Sequence, residues 1–276
     1  MIRKILIFFI QLLFIFNISM LVVVFVLSMT VGDKKFLLSL LDKTNYDKEI
    51  YYDCLSFLEG ETIQLGLEKE QMQEIITKKQ VKKDIHHLVD CIYDNKDLEI
   101  DTGDISKSLD NLIQNKLKEN NRVATEDELV SIKNLEKQIS DGYESKIVYS
   151  KKYVLKIRNY YHLIVRYFYK VLFLLFSLAL FLMSLLLFIC KKWNRFLREF
   201  GMSFLSVFFL IGLIKIFIQP KFQRILIFSR IFSKLVIAMI NAFFQYLLVI
   251  GLILGIIGLI MIIIGVVSSY PNKKRG

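Results

Sequence analysis

Residues 151–190 read KKYVLKIRNYYHLIVRYFYKVLFLLFSLALFLMSLLLFIC, and the fold turns on how they are read. The second half, Val171–Cys190, is twenty residues without a charge, the length that crosses a hydrocarbon core of about 30 Å. The first half keeps helical periodicity through Tyr153, Leu155, Ile157 and Tyr161, and no Pro or Gly separates the halves. A single helix beginning near Ser150 would be about 60 Å long, twice that core. The excess is expected to stand above the membrane as a stalk. Seven of the 13 tyrosines lie between Tyr143 and Tyr169, with Arg166 and Lys170 among or beside them. That mixture suits a membrane–water interface and core packing better than an aromatic ligand cage.

Upstream, Arg3 and Lys4 precede an uncharged run from Ile5 to Val31. It exceeds the apolar region of a signal peptide, which is about 7–15 residues, and it carries no Ala-x-Ala site. An uncleaved first transmembrane helix is expected, with Gln11 and Asn17 as hydrogen bonders between helices. Downstream, Lys191-Lys192-Trp193-Asn194-Arg195 and Arg198 form a short basic loop. A third span runs from Phe200 to about Gln219, and Pro220 is expected to end it. Leu235–Val267 is again uncharged and too long for one perpendicular span. Its first turns, with Asn241 and Gln245, are expected outside the hydrocarbon. Gly251, Gly255, Gly258 and Gly265 then share one face, a spacing that lets helix backbones approach closely.

Charge separates the two kinds of sequence. The chain has 276 residues, 54% of them hydrophobic, and a formal net charge of +11. Residues 31–160 hold 21 Lys and Arg against 25 Asp and Glu; the remainder holds 16 basic residues and one acid, Glu199. The positive excess therefore sits on the apolar segments and their flanks, as lipid headgroups favour, and not on a soluble face that could track nucleic acid. Three cysteines are too few for a disulfide scaffold.

Residues 32–160 are polar, free of proline and helical in period. Phe36, Leu37, Leu40 and Leu41 mark one helix; Ile50, Leu55 and Leu58 mark the next, after a break at Asn45-Tyr46-Asp47. Further helices are expected over Glu68–Lys79 and Val81–Tyr93, then after Asp104 with Ile105, Leu109, Leu112, Ile113 and Leu117 as the apolar face. Thr125-Glu126-Asp127-Glu128 is a capping box before Leu129, Ile132, Leu135 and Ile139, and Gly142 fits a stop. Leu98–Asp101 could be extended. The expected fold is all-α: a polytopic membrane protein with four transmembrane helices and a helical extracytoplasmic domain. In segments this places transmembrane helix 1 with a short cytoplasmic N-terminus at 1–31, the extracytoplasmic helical domain and stalk at 32–160, and transmembrane helix 2 at 161–190. A cytoplasmic basic loop at 191–199, transmembrane helix 3 at 200–219 and an outer connection at 220–234 follow. A long helix containing transmembrane helix 4 takes 235–268, and a cytoplasmic basic tail takes 269–276.

Orientation follows from the positive charges of the short segments. The N-terminus, the 191–199 loop and the tail with Lys273, Lys274 and Arg275 share one side and carry nine Lys and Arg; the other connection carries four, Lys221, Arg224, Arg230 and Lys234. Both termini are therefore expected in the cytoplasm, with the large domain outside.

Chemistry-bearing residues are sparse. In His86-His87-Leu88-Val89-Asp90-Cys91, His86 with Asp90 and His87 with Cys91 are helical i,i+4 pairs, a spacing that can seat a metal. The two pairs point about 100° apart on a helix, so solvated histidines beside a buried cysteine are expected instead. No catalytic motif stands out among the many acids, which alternate with lysines as solvated faces do. Lys215 is the one charge inside the apolar run of a span; fifteen residues past Phe200 it lies about 22 Å along the helix, where snorkelling to the interface outweighs a translocation role. Cys54 and Cys91 fall in the domain placed outside, where either a bridge or two separately buried thiols is open.

The chain resembles the uncharacterised bacterial four-span membrane proteins that carry a large extracytoplasmic helical domain between spans one and two. The resemblance rests on Phe36-Leu37-Leu38 after the first span, on Tyr46 with Ile50-Tyr51, and on Lys82-Lys83-Asp84-Ile85. Ile100-Asp101-Thr102 and Ile225-Leu226-Ile227-Phe228 continue it. It implies a bacterial plasma-membrane setting and the four-span plan, with no activity, cofactor or catalytic residue. The function expected is that of a non-enzymatic multi-pass plasma-membrane protein whose outer domain binds a partner or senses an envelope condition. Its partners would be membrane lipid and a membrane or envelope protein, not nucleic acid. The alternative is a small transporter or an oligomeric channel, with Lys215 or the glycine face at a shared interface.

Overall fold

The computed structural model describes residues 2–63, 67–149, 151–222 and 230–269. These form ten α-helices, and no strand occurs among the described residues. They are α1 (Ile2–Thr30), α2 (Lys34–Thr44), α3 (Tyr46–Thr62), α4 (Lys69–Ile75), α5 (Lys78–Tyr93), α6 (Gly103–Glu119), α7 (Glu126–Val148), α8 (Lys151–Cys190), α9 (Trp193–Phe222) and α10 (Arg230–Val267). Four of them, α1, α8, α9 and α10, are long and apolar enough to cross a membrane. The chain divides into two compact units, Met1–Leu37 with Ile164–Gly276, and Leu38–Leu163. The divisions fall inside α2 and α8, so each of these helices contributes to both.

In the apolar unit, α9 and α10 pack along one another and α1 lies against both. The span half of α8 joins through Ala179, Leu182 and Leu186, which pack with Ile7, Ile10 and Phe14 of α1 and Phe196 and Phe200 of α9. A second cluster holds Val22 and Val26 against Val207, Ile211 and Leu247. The outward surface stays apolar, with Phe9, Phe16, Phe173, Phe188 and Ile263 all exposed. Helices satisfy their own backbone hydrogen bonds, so such a surface is at home in hydrocarbon.

The turn between α8 and α9 is much shorter than the basic-loop reading. Lys191 takes a left-handed φ of 59°, and α9 begins at Trp193. The guanidinium of Arg3 donates to the carbonyls of Ile189 (2.6 and 2.8 Å) and Cys190 (2.7 Å) at the end of α8, where the Cys190 carbonyl also accepts from Lys192 N (2.7 Å). At the far end α9 passes through Pro220 to Phe222. The lost donor removes one bond in the last turn, a smaller loss than in mid-helix. Arg224, the Ile225–Phe228 motif and the tail lysines lie outside the described residues.

The polar unit has its own core. α3 packs on α4, α5 and α7, while α6 packs on α4 and α7. Leu58, Ile76, Val81, Ile85, Ile105, Leu109, Ile139 and Tyr143 are fully or almost fully buried between them. The capping box before α7 is present: Glu128 N donates to Thr125 Oγ1 (3.3 Å) and Thr125 N to Glu128 Oε2 (2.9 Å). Three of the junctions turn on asparagines with positive φ, Asn45, Asn95 and Asn121, the residue type that tolerates this region best after glycine.

Several local expectations are revised. The helix expected to Lys79 ends at Ile75, because Thr77 caps α5 by accepting from Gln80 N (3.2 Å). Residues 98–101 form no strand. Gly142 does not stop α7, which continues to Val148; its missing side chain leaves room for the ring of Phe57. The first turns of α7 are only partly covered, with Leu129 and Val130 exposed.

Candidate functional site

The polar unit buries one titratable cluster. Val81, Asp84 and Ile85 fall on the buried face of α5, and Ile139, Tyr143 and Ile147 on that of α7. Where these faces meet, the Tyr143 hydroxyl donates to Asp84 Oδ2 at 2.6 Å. Tyr143 is wholly buried and Asp84 nearly so. Burial raises the Asp84 carboxyl above the ordinary aspartate range, partly opposed by the Tyr143 bond, Lys83 and His87. Burial, then the bond to Asp84, raises the Tyr143 phenol well above its usual value. Cys54 of α3 completes the cluster; burial, with Asp53 beside it, pushes its thiol up to about 12. A thiol held so far from ionisation is a poor nucleophile. The Tyr143–Asp84 bond thus ties α7 to α5 beside the buried Cys54 of α3, and the thiol is not an activated nucleophile.

Sequence reading passed over this cluster. Its trace was an acid on an apolar stripe: Asp84 stands three residues after Val81 and next to Ile85, a place where a solvated carboxylate does not belong.

The histidine–cysteine run lies on α5. His87 Nε2 is 3.6 Å from Cys91 Sγ, and that thiol donates to the carbonyl of Asp97 at 2.8 Å. Asp90 pairs with Lys96 at 3.2 Å. Among the described residues, no three His, Cys, Asp or Glu side chains converge as a metal would require. Cys54, Cys91 and Cys190 are all buried free thiols. Cys91 thus finds its polar partner in the loop after α5, while Cys54 sits with Asp84 and Tyr143.

In the apolar unit, the α10 glycines face α9. A side chain at Gly251 would meet Ile211, at Gly255 Phe208, and at Gly258 the carbonyl of Gly201, 2.6 Å from a built Cβ. One at Gly265 would meet the backbone of Asn194 and Arg198. Gly201, unremarked in the sequence, is the reciprocal contact: its own Cβ would lie 2.5 Å from the Gly258 carbonyl.

Two side-chain hydrogen-bonded contacts of this unit lie on opposite sides of the spans. Gln11 Nε2 donates to the Glu199 carbonyl (2.9 Å) and to Glu199 Oε2 (3.1 Å), so the lone acid ties α9 to α1. Arg195 and Arg198 each stand 3.7 Å from Glu199 Oε1. On the other side of the spans, Gln219 Nε2 donates to Asn241 Oδ1 at 2.9 Å. Lys215 is half-buried one turn before Gln219 on α9. Asn17 departs from expectation: it is buried, but its amide has no hydrogen-bond partner among the described residues. An apolar cleft lined by Phe14, Val22, Phe176, Ala179, Phe204 and Leu254 opens between the helices and presents no group capable of chemistry.

The chain matches no protein-family model, no curated protein and no solved structure.

Proposed function

We propose that this is a non-enzymatic, multi-pass plasma-membrane protein of a bacterial cell. Its helical unit faces the outside, where it binds a partner protein or senses an envelope condition. Both termini are cytoplasmic in this reading, which rests on the nine basic residues of one set of short segments against four of the other. The observation that carries the functional reading is the autonomy of the polar unit. It has its own core, built from five helices and tied by the buried Tyr143–Asp84 bond. Tyr143 and Asp84 are turned into that core, and recognition in this reading falls to the outer surface. α8 belongs to this unit as far as Leu163 and to the apolar unit from Ile164. A bound partner that shifted the helix would thus act on the spans directly.

The test is photo-crosslinking of the full chain in native membranes, with probes at exposed positions such as Val123 and Val130, and purification of the adducts. A discrete adduct, together with altered envelope-stress behaviour on deletion, supports the reading. No adduct, unchanged stress behaviour and an ion flux in liposomes that Lys215→Ala abolishes would replace it with the channel reading.

A further inference from the structure

The 40-residue helix α8 spends one face on its own molecule and leaves another bare. Within the polar unit, Val154 is buried, Arg158 donates to the Lys96 carbonyl (3.0 Å), and Tyr161 stacks on Tyr93 with centroids 4.5 Å apart. Within the apolar unit the buried residues of the same helix are Ala179, Leu182, Leu186 and Cys190. In heptad notation with Ile157 at a, these contacts fall on e and b, apart from Cys190 at f.

The neighbouring a and d positions carry a second, unbroken pattern. Ile157, Ile164, Val171 and Leu178 occupy a. Tyr153, Tyr160, Tyr167, Leu174 and Phe181 occupy d. Every one of these side chains is between 41% and 63% exposed. The alternation of four and three residues holds from Tyr153 to Phe181 without a charge or a small residue. Six basic residues lie between Lys151 and Lys170, and all occupy b, c or g, none of them a or d. A strict seven-residue repeat drifts by about 20° per heptad on a straight helix, so a seam kept in this phase is a seam made for a helix that winds with it.

We propose that α8 pairs with the α8 of a second copy as a parallel two-stranded coiled coil. Two copies inserted in one membrane share their orientation, so each seam residue meets its own counterpart. A charged seam residue would face its own like charge, and none of the nine is charged. Branched Ile157, Ile164 and Val171 at a suit a two-stranded parallel coil. The area is adequate as well. At about 200 Å² for a full side chain, nine seam residues roughly half exposed offer on the order of 900 Å² per copy, against about 800 Å² per partner in a stable interface. Lipid could cover the part from Val171 onwards. It could not cover Tyr153, Ile157 and Tyr160, because the basic stretch around them cannot lie in hydrocarbon. Within each unit, the contacts on e and b leave that unit's own a and d residues exposed.

The test uses the full chain in native membranes, with Cys54, Cys91 and Cys190 replaced by Ala and single cysteines placed along α8. Oxidation is expected to give disulfide-linked dimers from Ile157→Cys, Tyr160→Cys, Ile164→Cys and Tyr167→Cys. At least tenfold less is expected from Leu155→Cys, Asn159→Cys, Arg166→Cys and Tyr169→Cys on the opposite faces. Single-molecule photobleaching of the otherwise unaltered chain, tagged at Gly276, serves if the cysteine-free variant fails to fold. Two steps are expected, falling to one in the double variant Ile157→Lys/Ile164→Lys. One step without substitution, or cross-links strongest on the opposite faces, would overturn the pairing. So would adducts of the seam cysteines to a protein of different mass in place of the dimer.

Discussion

Gly258 in the apolar unit and Gly142 in the polar unit are both glycines inside long helices with a neighbour pressed against them. The neighbour differs. Gly258 meets the backbone of Gly201 and Leu205, which cannot move without moving α9; Gly142 meets the end of the Phe57 ring, which can swing. In lipid there is no water to drive apolar helices together, so cohesion comes from backbones packed closely at small residues. In water, burial of Leu58, Ile105, Ile139 and their neighbours supplies the drive, and a glycine is a local fit within it.

The largest effect should therefore come from Gly258→Leu. It forces α9 and α10 apart, and a loss of about 3 kcal/mol or more of bundle stability is expected, at or beyond the upper range for overpacking. Thermal unfolding in mild detergent, followed through Trp193, would register it. Gly212, which has nothing within 4 Å of its built Cβ, supplies the control: Gly212→Ala should leave the bundle unchanged or firmer. Equal losses at the two positions would show that the Gly201–Gly258 contact is not what holds α9 to α10.

Next in size is Tyr143→Phe. It keeps the ring and strips a buried carboxylate of its hydroxyl donor, for a cost of about 1–3 kcal/mol. Pulse proteolysis in urea, scored on the fragments of α5 and α7, should show the midpoint falling while bundle fragments persist to higher urea. Gly142→Ala should cost less, about 1 kcal/mol or below, because the Phe57 ring can turn aside. A loss as large as that of Gly258→Leu would mean that the ring is held as rigidly as a backbone.

Asp84 gives the polar unit a pH dependence. Its native carboxyl is raised by burial, so its contribution to stability is full below the ordinary aspartate range. That contribution is lost as pH rises through the raised native value. Acidification from neutral pH should thus firm the polar unit through this group, and Asp84→Asn should flatten that part of the profile. The same urea assay repeated across pH 4–7 decides it; a slope unaltered by the substitution would show that Asp84 is not its source.

Much of this architecture was legible in the sequence because the signals were local. Twenty uncharged residues at Val171–Cys190 announce a span wherever they occur, and Thr125 with Glu128 announces a helix start. The helix ends that went astray turned on competition between neighbours. Thr77 took the cap that a continuous Glu68–Lys79 helix would have overrun, and Pro220 was carried along in the last turn of α9. The sites were harder, because they are made by partners distant in sequence. Nothing near Asp84 specifies Tyr143, 59 residues away. Gly201 becomes telling only when α10 brings Gly258 against it. The α8 seam needed both structure and sequence, since its repeat stands out only once the face buried by the molecule's own contacts is taken away.

In the proposed topology the two units face different media, with the polar unit outside the cell. Val123 between α6 and α7 is 91% exposed, Lys192 before α9 is exposed, and the native thiols are all buried. Intact cells or spheroplasts carrying Val123→Cys or Lys192→Cys can be treated with a membrane-impermeant maleimide before and after permeabilisation. Val123→Cys is expected to label at once, and Lys192→Cys only after permeabilisation. Labelling in the opposite order would place the helical unit in the cytoplasm and contradict the proposal that it reads the envelope.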